Sequence, residues 1–105
     1  REREVFGCLF LDARHHILAV EDIFFGTIDG AEVCPREVAR LALQCNAAAV
    51  VAFHNHPSGN IEPSAADRAV TARLKQALAI LDIRLLDHIV VSAAGFSSMA
   101  ARGWV

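Results

Sequence analysis

Two histidines one residue apart, His54 and His56, are followed after seven residues by Ser64 and then by Asp67. Two imidazoles and a carboxylate are ligands of the kind that hold a catalytic Zn²⁺ while leaving its fourth position to water. A metal so held acidifies that water or polarises a carbonyl. Residues i and i+2 of an extended segment point to the same side, so His54 and His56 can face one point in space. Pro57, Ser58 and Gly59 then turn the chain, and the first turn of the following helix, with Asp67 in it, can fold back. A metal-bound carboxylate also suits a helix N-terminus. The same letters have a plainer meaning. Ser64-x-x-Asp67 behind Pro63 resembles a helix capping box, and two strand-end histidines can simply be solvated. The two readings of Ser64 and Asp67 are compatible.

The elements that must position these groups follow from hydrophobic patterning. Val5–Leu11 is mostly apolar and reads as a buried strand; a turn at Asp12-Ala13-Arg14-His15 returns the chain as Ile17–Phe25, predicting a hairpin. Residues 26–33 form a Gly-punctuated segment, either a third strand or a loop. Pro35 suits the first position of a helix, where its missing N–H costs nothing. Val38, Leu41, Ala42 and Cys45 follow at helical spacing. The apolar run 47–53 predicts a central strand covered on both faces, with the histidines at its C-terminal end. A second helix is predicted over 64–81, with Ala66, Val70, Leu74, Ala77, Leu78 and Leu81 as its apolar stripe. A further strand over 83–91 and a short closing segment over 95–104 complete the chain. Strands alternating with two helices predict an α/β domain, one mixed sheet packed between helices. Ligand sites in such sheets favour the carboxyl ends of strands.

Composition narrows the function classes. At 105 residues and 54% hydrophobic, the chain makes a single domain able to bury a core without cross-links. Cys8, Cys34 and Cys45 cannot all pair and form no CxxC, which points to reduced thiols in the cytoplasm. The apolar run 47–53 falls far short of the roughly 20 residues a membrane helix needs. A net charge of −2 without a Lys/Arg cluster argues against direct nucleic-acid binding by this segment. The chain opens on Arg1 rather than Met, which is expected of the C-terminal part of a longer protein.

The His54-x-His56-x₇-Ser64-x₂-Asp67 pattern resembles the JAMM signature of the JAB/MPN metallopeptidase superfamily. The flanking residues are closer still to its bacterial RadC-like branch: Leu11-Asp12, Gly26-Thr27, Pro35-Arg36-Glu37, the run from His54 to Gly59, Pro63-Ser64 and Leu86-Asp87-His88. The resemblance covers essentially the whole chain. It implies a cytidine-deaminase-like α/β/α fold, with His54, His56 and Asp67 as zinc ligands and Ser64 steadying a tetrahedral oxyanion. It also implies an upstream general acid/base in a Glu-x-x-Gly pattern, which Glu4-Val5-Phe6-Gly7 matches. Glu37, on the first helix, is the rival for that role. Asn55 departs from the Ser or Thr that many peptidases of the superfamily carry between the histidines.

The resulting expectation is a zinc-dependent metallopeptidase or isopeptidase acting on a peptide or isopeptide substrate. The hairpin and the loop 58–63 would wall its groove. One alternative keeps the metal and cleaves a phosphoester, as a nuclease of the DNA repair to which the family's historical name points. Another is a non-catalytic protein-interaction module. A homodimer is compatible with the sequence. His15 and His16 are adjacent and would point to opposite faces of a strand, which argues against shared ligation. Asp87 and His88 read as a structural hydrogen-bonded pair rather than a second site. Cys34 lacks the Pro-Cys-x-x-Cys and His-x-Glu context of a nucleobase deaminase.

Overall fold

Val5–Leu11 (β1) and Ile17–Phe25 (β2) pair as the antiparallel hairpin that the two apolar runs predict. The structure is a computed structural model that describes residues 4–25, 33–57 and 59–105. Asp12 makes the turn by accepting the backbone N–H groups of Arg14 at 2.8 Å and His16 at 2.9 Å. His15 supplies the left-handed residue, with φ of 65°. The His16 ring packs back on Asp12 at 3.1 Å, so this histidine pair serves the turn. The segment expected over 26–33 lies outside the described residues except for Val33, which is buried in the core.

Pro35–Gln44 forms α1, with proline in its first turn as predicted. Ala49–Asn55 forms β3, shifted from the apolar run because the Ala47 N–H closes the end of α1 on Ala42 and Ala48 bonds Leu11. The shift places His54 inside the strand and His56 just beyond it. Ala65–Ile80 forms α2, Arg84–Ser92 forms β4 and Gly95–Ser98 forms β5. The sheet order is β2-β1-β3-β4-β5, which makes β3 the central strand. Among the described strands only β3 and β4 pair in parallel, joined through α2, as a parallel pair requires a crossover.

Alternation along the strands decides which face is covered. Phe6, Cys8 and Phe10 of β1 stand opposite His54, Ala52 and Val50 of β3. Against this face pack Val38 and Ala42 of α1, with Val70, Leu74 and Leu78 of α2. The mixed α/β sheet is as predicted, but among the described residues it is not packed between helices as expected. Both helices lie on this one face. Val51 and Phe53 point to the other, where they are half-buried beside exposed Val20, Val91 and Phe96. Leu81 leaves the predicted stripe because it is the C-cap of α2, and the chain turns there through Asp82 at φ of 59°. Asp67 and Thr71 take buried places in that stripe.

The three thiols are all free and differ sharply in setting. Burial pushes the Cys8 thiol up to about 12. Cys34 caps α1 in the open, where the backbone N–H groups of Glu37 and Arg36 hold its thiol below the ordinary value. Brief alkylation at neutral pH is therefore expected to label Cys34 first and leave Cys8 unmodified. Peptide mass mapping reads the order, and early labelling of Cys8 would contradict the packing described.

Candidate metal centre

The site is built where the C-terminal end of β3 meets the N-terminus of α2. Ser64 caps that helix: its hydroxyl accepts the Asp67 N–H at 3.0 Å, and its own N–H donates to Asp67 Oδ2 at 2.6 Å. This is the reciprocal capping box, worth about 1 kcal/mol for the cap alone. The cap leaves Asp67 Oδ1 directed at His54. His54 Nε2 lies 3.0 Å from that oxygen, and His56 Nε2 lies 3.2 Å from Oδ2. The two Nε2 atoms are 2.9 Å apart. One ligand atom from each residue falls within 4.8 Å of the others, the one such group of His, Cys, Asp or Glu among the described residues.

The chemistry of this donor set fits a metal ion. Asn60 O lies 2.7 Å from His56 Nδ1, and a carbonyl only accepts. His56 therefore carries a proton on Nδ1, and as a neutral ring presents a bare lone pair at Nε2. Lone pairs and carboxylate oxygens crowded this closely repel one another unless a cation or proton lies among them. Asp67 is only 2% exposed. Burial opposes its ionisation, but hydrogen bonds from His54 and Ser64 and the charge on His54 outweigh it. Its carboxyl is held well below the usual carboxylate range. His54, His56 and Asp67 can hold a metal ion.

A cleft of about 400 Å³ opens on this group, lined by Glu4, His56, Asn60, Glu62, Pro63, Ser64 and Asp67. Three of its wall residues come from the predicted loop, whereas none of the lining among the described residues comes from the strands of the hairpin. Glu62 on the rim is bridged by Arg102 at 2.8 Å, tying that loop to the C-terminal turn. A larger cleft of about 600 Å³ lies beside the C-terminal end of α2, lined by Lys75, Asp82 and Arg84 among others. It brings together no set of metal-binding donors, so the chemistry favours the smaller cleft. Glu4 lies in that cleft. Glu37 instead pairs with Arg40 on α1, and the charge and hydrogen bonds of Arg40 hold its carboxyl below the ordinary value.

Two readings of neighbouring residues are altered by the structure. Asp87 and His88 are not a side-chain pair, because adjacent strand residues point to opposite faces. Asp87 accepts from the Ser98 hydroxyl and the Ala100 N–H, fastening the C-terminal turn, and its hydrogen bond with His88 is to that residue's backbone N–H. The His88 ring turns inward, its Nε2 2.8 Å from Nδ1 of His54. Burial, then the charge of His54, pushes its imidazole down to about 3. His88 shares its strand phase with buried Val90, the one sequence signal that places its ring inside. Asn55, which departs from the commoner Ser or Thr, accepts the Val5 N–H at 2.6 Å. A shorter side chain would not reach as far, and this bond fixes the backbone next to Glu4.

Comparison with known proteins supplies the family. The model of the RadC-like JAB domain family matches residues 1–104. A UPF0758 protein of Xanthomonas campestris pv. campestris strain 8004 is 64% identical over all 105 residues, which span 47% of that relative. UPF0758 proteins of Stutzerimonas stutzeri strain A1501 and Azotobacter vinelandii strain DJ are 60% and 58% identical over 102 residues. In both pairs the match covers 97% of this chain and 46% of the relative. The chain thus spans about half the length of the curated relatives it matches. No helix among the described residues is long and apolar enough to cross a membrane.

Proposed function

Because this chain belongs to the RadC-like JAB domain family, we propose that it is a zinc-dependent amide hydrolase, a metallopeptidase or isopeptidase. The observation that carries the reading is the convergence of His54, His56 and Asp67 beneath a cleft that Glu4 and Ser64 also line. The three ligands would hold zinc, which when bound supplies Lewis-acid chemistry, acidifying water and polarising a carbonyl. Glu4 takes a proton from the attacking water and delivers it to the leaving amine. The Ser64 oxygen accepts the Asp67 N–H, which leaves its hydroxyl proton free to donate to the oxyanion. The buried His54 anchors the ligand set, while the partly exposed His56 faces the cleft where a peptide or isopeptide bond enters.

A phosphoester substrate is less favoured. Glu4, Glu62 and Asp67 give the cleft an acidic wall that would repel a phosphodiester, although Arg102 bridges Glu62. The family's DNA-repair association and a cytoplasmic setting are compatible with an amidase and are part of this proposal.

Metal content tests the reading. Purified protein is expected to carry near-stoichiometric zinc by elemental mass spectrometry, and His56→Ala and Asp67→Ala are each expected to lose it. Peptide and isopeptide substrates would then be screened with the loaded protein. No zinc in the wild type, even after reconstitution, would sink the proposal.

A further inference from the structure

A buried chain of hydrogen bonds runs behind the metal centre and returns to it. Thr71, one turn beyond Asp67 on α2, donates its hydroxyl to the Asp67 carbonyl at 2.9 Å. Met99 Sδ lies 3.0 Å from the same hydroxyl and is likewise an acceptor. Thr71 Oγ1 lies 2.6 Å from His88 Nδ1, and His88 Nε2 lies 2.8 Å from His54 Nδ1. Thr71, His88 and His54 are each essentially buried. Phe6 packs on both rings, stacked on His54 at 6.2 Å and edge-on to His88 at 5.5 Å.

Counting protons gives this chain a direction. A threonine hydroxyl has one proton, and when that proton goes to the Asp67 carbonyl, Oγ1 is left to accept from His88. Its oxygen then accepts from His88 Nδ1–H. A neutral His88 with its proton on Nδ1 has a bare Nε2, which must accept from His54 Nδ1–H. His54 is left with a bare Nε2, the atom that faces Asp67 Oδ1 and His56. The opposite direction puts a proton on His54 Nε2, where it donates to Asp67 Oδ1 and must leave before a metal can be coordinated there. Ligating histidines are ordinarily oriented by a carboxylate, carbonyl or water on the far nitrogen, and losing that partner typically weakens metal binding about 10–100-fold.

We propose that Thr71 and His88 are positioning residues that hold His54 in its Nδ1–H tautomer and so prepare Nε2 for the metal. This rests on the metal-centre reading above. The relay begins on the backbone carbonyl of Asp67 and ends at the ring that shares the metal with the Asp67 carboxylate. One helix turn therefore fixes both ligands together.

The test separates a hydroxyl from a shape. Zinc affinity at neutral pH is measured by competition with a chromophoric chelator for the wild type, Thr71→Val and Thr71→Ser. Thermal unfolding confirms that each variant is folded. Valine keeps the shape and removes the hydroxyl, whereas serine keeps the hydroxyl and removes the methyl. Thr71→Val is expected to weaken zinc binding about 10–100-fold, with Thr71→Ser close to wild type. Long-range proton–nitrogen NMR spectra of the zinc-loaded wild type should show His54 and His88 both protonated on Nδ1. A packing role predicts the reverse order, and that order, or equal behaviour of the two variants, overturns the proposal. Should Thr71→Val fail to fold, the NMR tautomers decide, and a proton on Nε2 of His88 overturns it. A wild type that binds no zinc overturns the metal-centre reading itself, and this inference with it.

Discussion

Glu4→Gln is expected to keep its zinc and to slow amide hydrolysis by about a hundred- to ten-thousand-fold, the usual contribution of a positioned acid/base. Glutamine keeps the size and hydrogen-bonding reach of glutamate but cannot take up the water's proton. The expectation rests on location. Glu4 lines the cleft with His56, Ser64 and Asp67. The next residue, Val5, is clamped by Asn55, and Phe6 pairs with His54 across the sheet. Glu37 lines no part of that cleft, so Glu37→Gln is expected to leave turnover unchanged. Steady-state kinetics on a substrate from the screen, with elemental analysis of the same samples, distinguishes the two. Normal turnover in Glu4→Gln beside a slow Glu37→Gln would reverse the assignment.

Gly7→Ala is expected to destabilise the fold by roughly 1–3 kcal/mol, the range for overpacking a close-packed site. A methyl placed on Gly7 would collide with the Phe53 ring, which lies across β1 from the neighbouring strand. It would also come within 2.8 Å of the Glu21 carbonyl on β2. The ring could move aside; the carbonyl is part of the sheet backbone and could not do so without disturbing the hairpin. Urea denaturation of Gly7→Ala, alone and combined with Phe53→Leu, measures the two parts. The second substitution should recover part of the loss and leave the share due to Glu21. Unchanged stability in Gly7→Ala would show that the strands yield more easily than their geometry implies. The glycine of the Glu-x-x-Gly pattern thus has a physical reason: a side chain three residues after Glu4 would distort the strand that presents it.

Local features of the fold were the legible ones. The bounds of β1 and β2, the proline-led α1 and the capped start of α2 follow from patterning over a few residues. His54, His56 and Asp67 were legible as a group because the alternation of a strand and the first turn of a helix bring them together. His88 was not, since it reaches His54 from 34 residues away through the parallel register of β3 and β4. Asn55 looked like a departure from pattern because its partner, Val5, lies 50 residues earlier. The apolar letters of Val51 and Phe53 read the same whether a strand face is covered or half-open, which is why the layering needed coordinates.

The sheet order β2-β1-β3-β4-β5 has a consequence for how the chain is made. After the opening hairpin, β3 joins the free edge of β1, and β4 and β5 each join the described strand before them. The sheet grows in the direction of synthesis, and no pairing once made has to open to admit a latecomer. A ribosome releasing this polypeptide N-terminus first would leave one growing edge, on β1, then β3, then β4. His54, His56 and Asp67 have all emerged before β4, while His88 meets His54 only when that strand docks. The four residues of β5 then end the growth with an edge too short to be a good template for another chain.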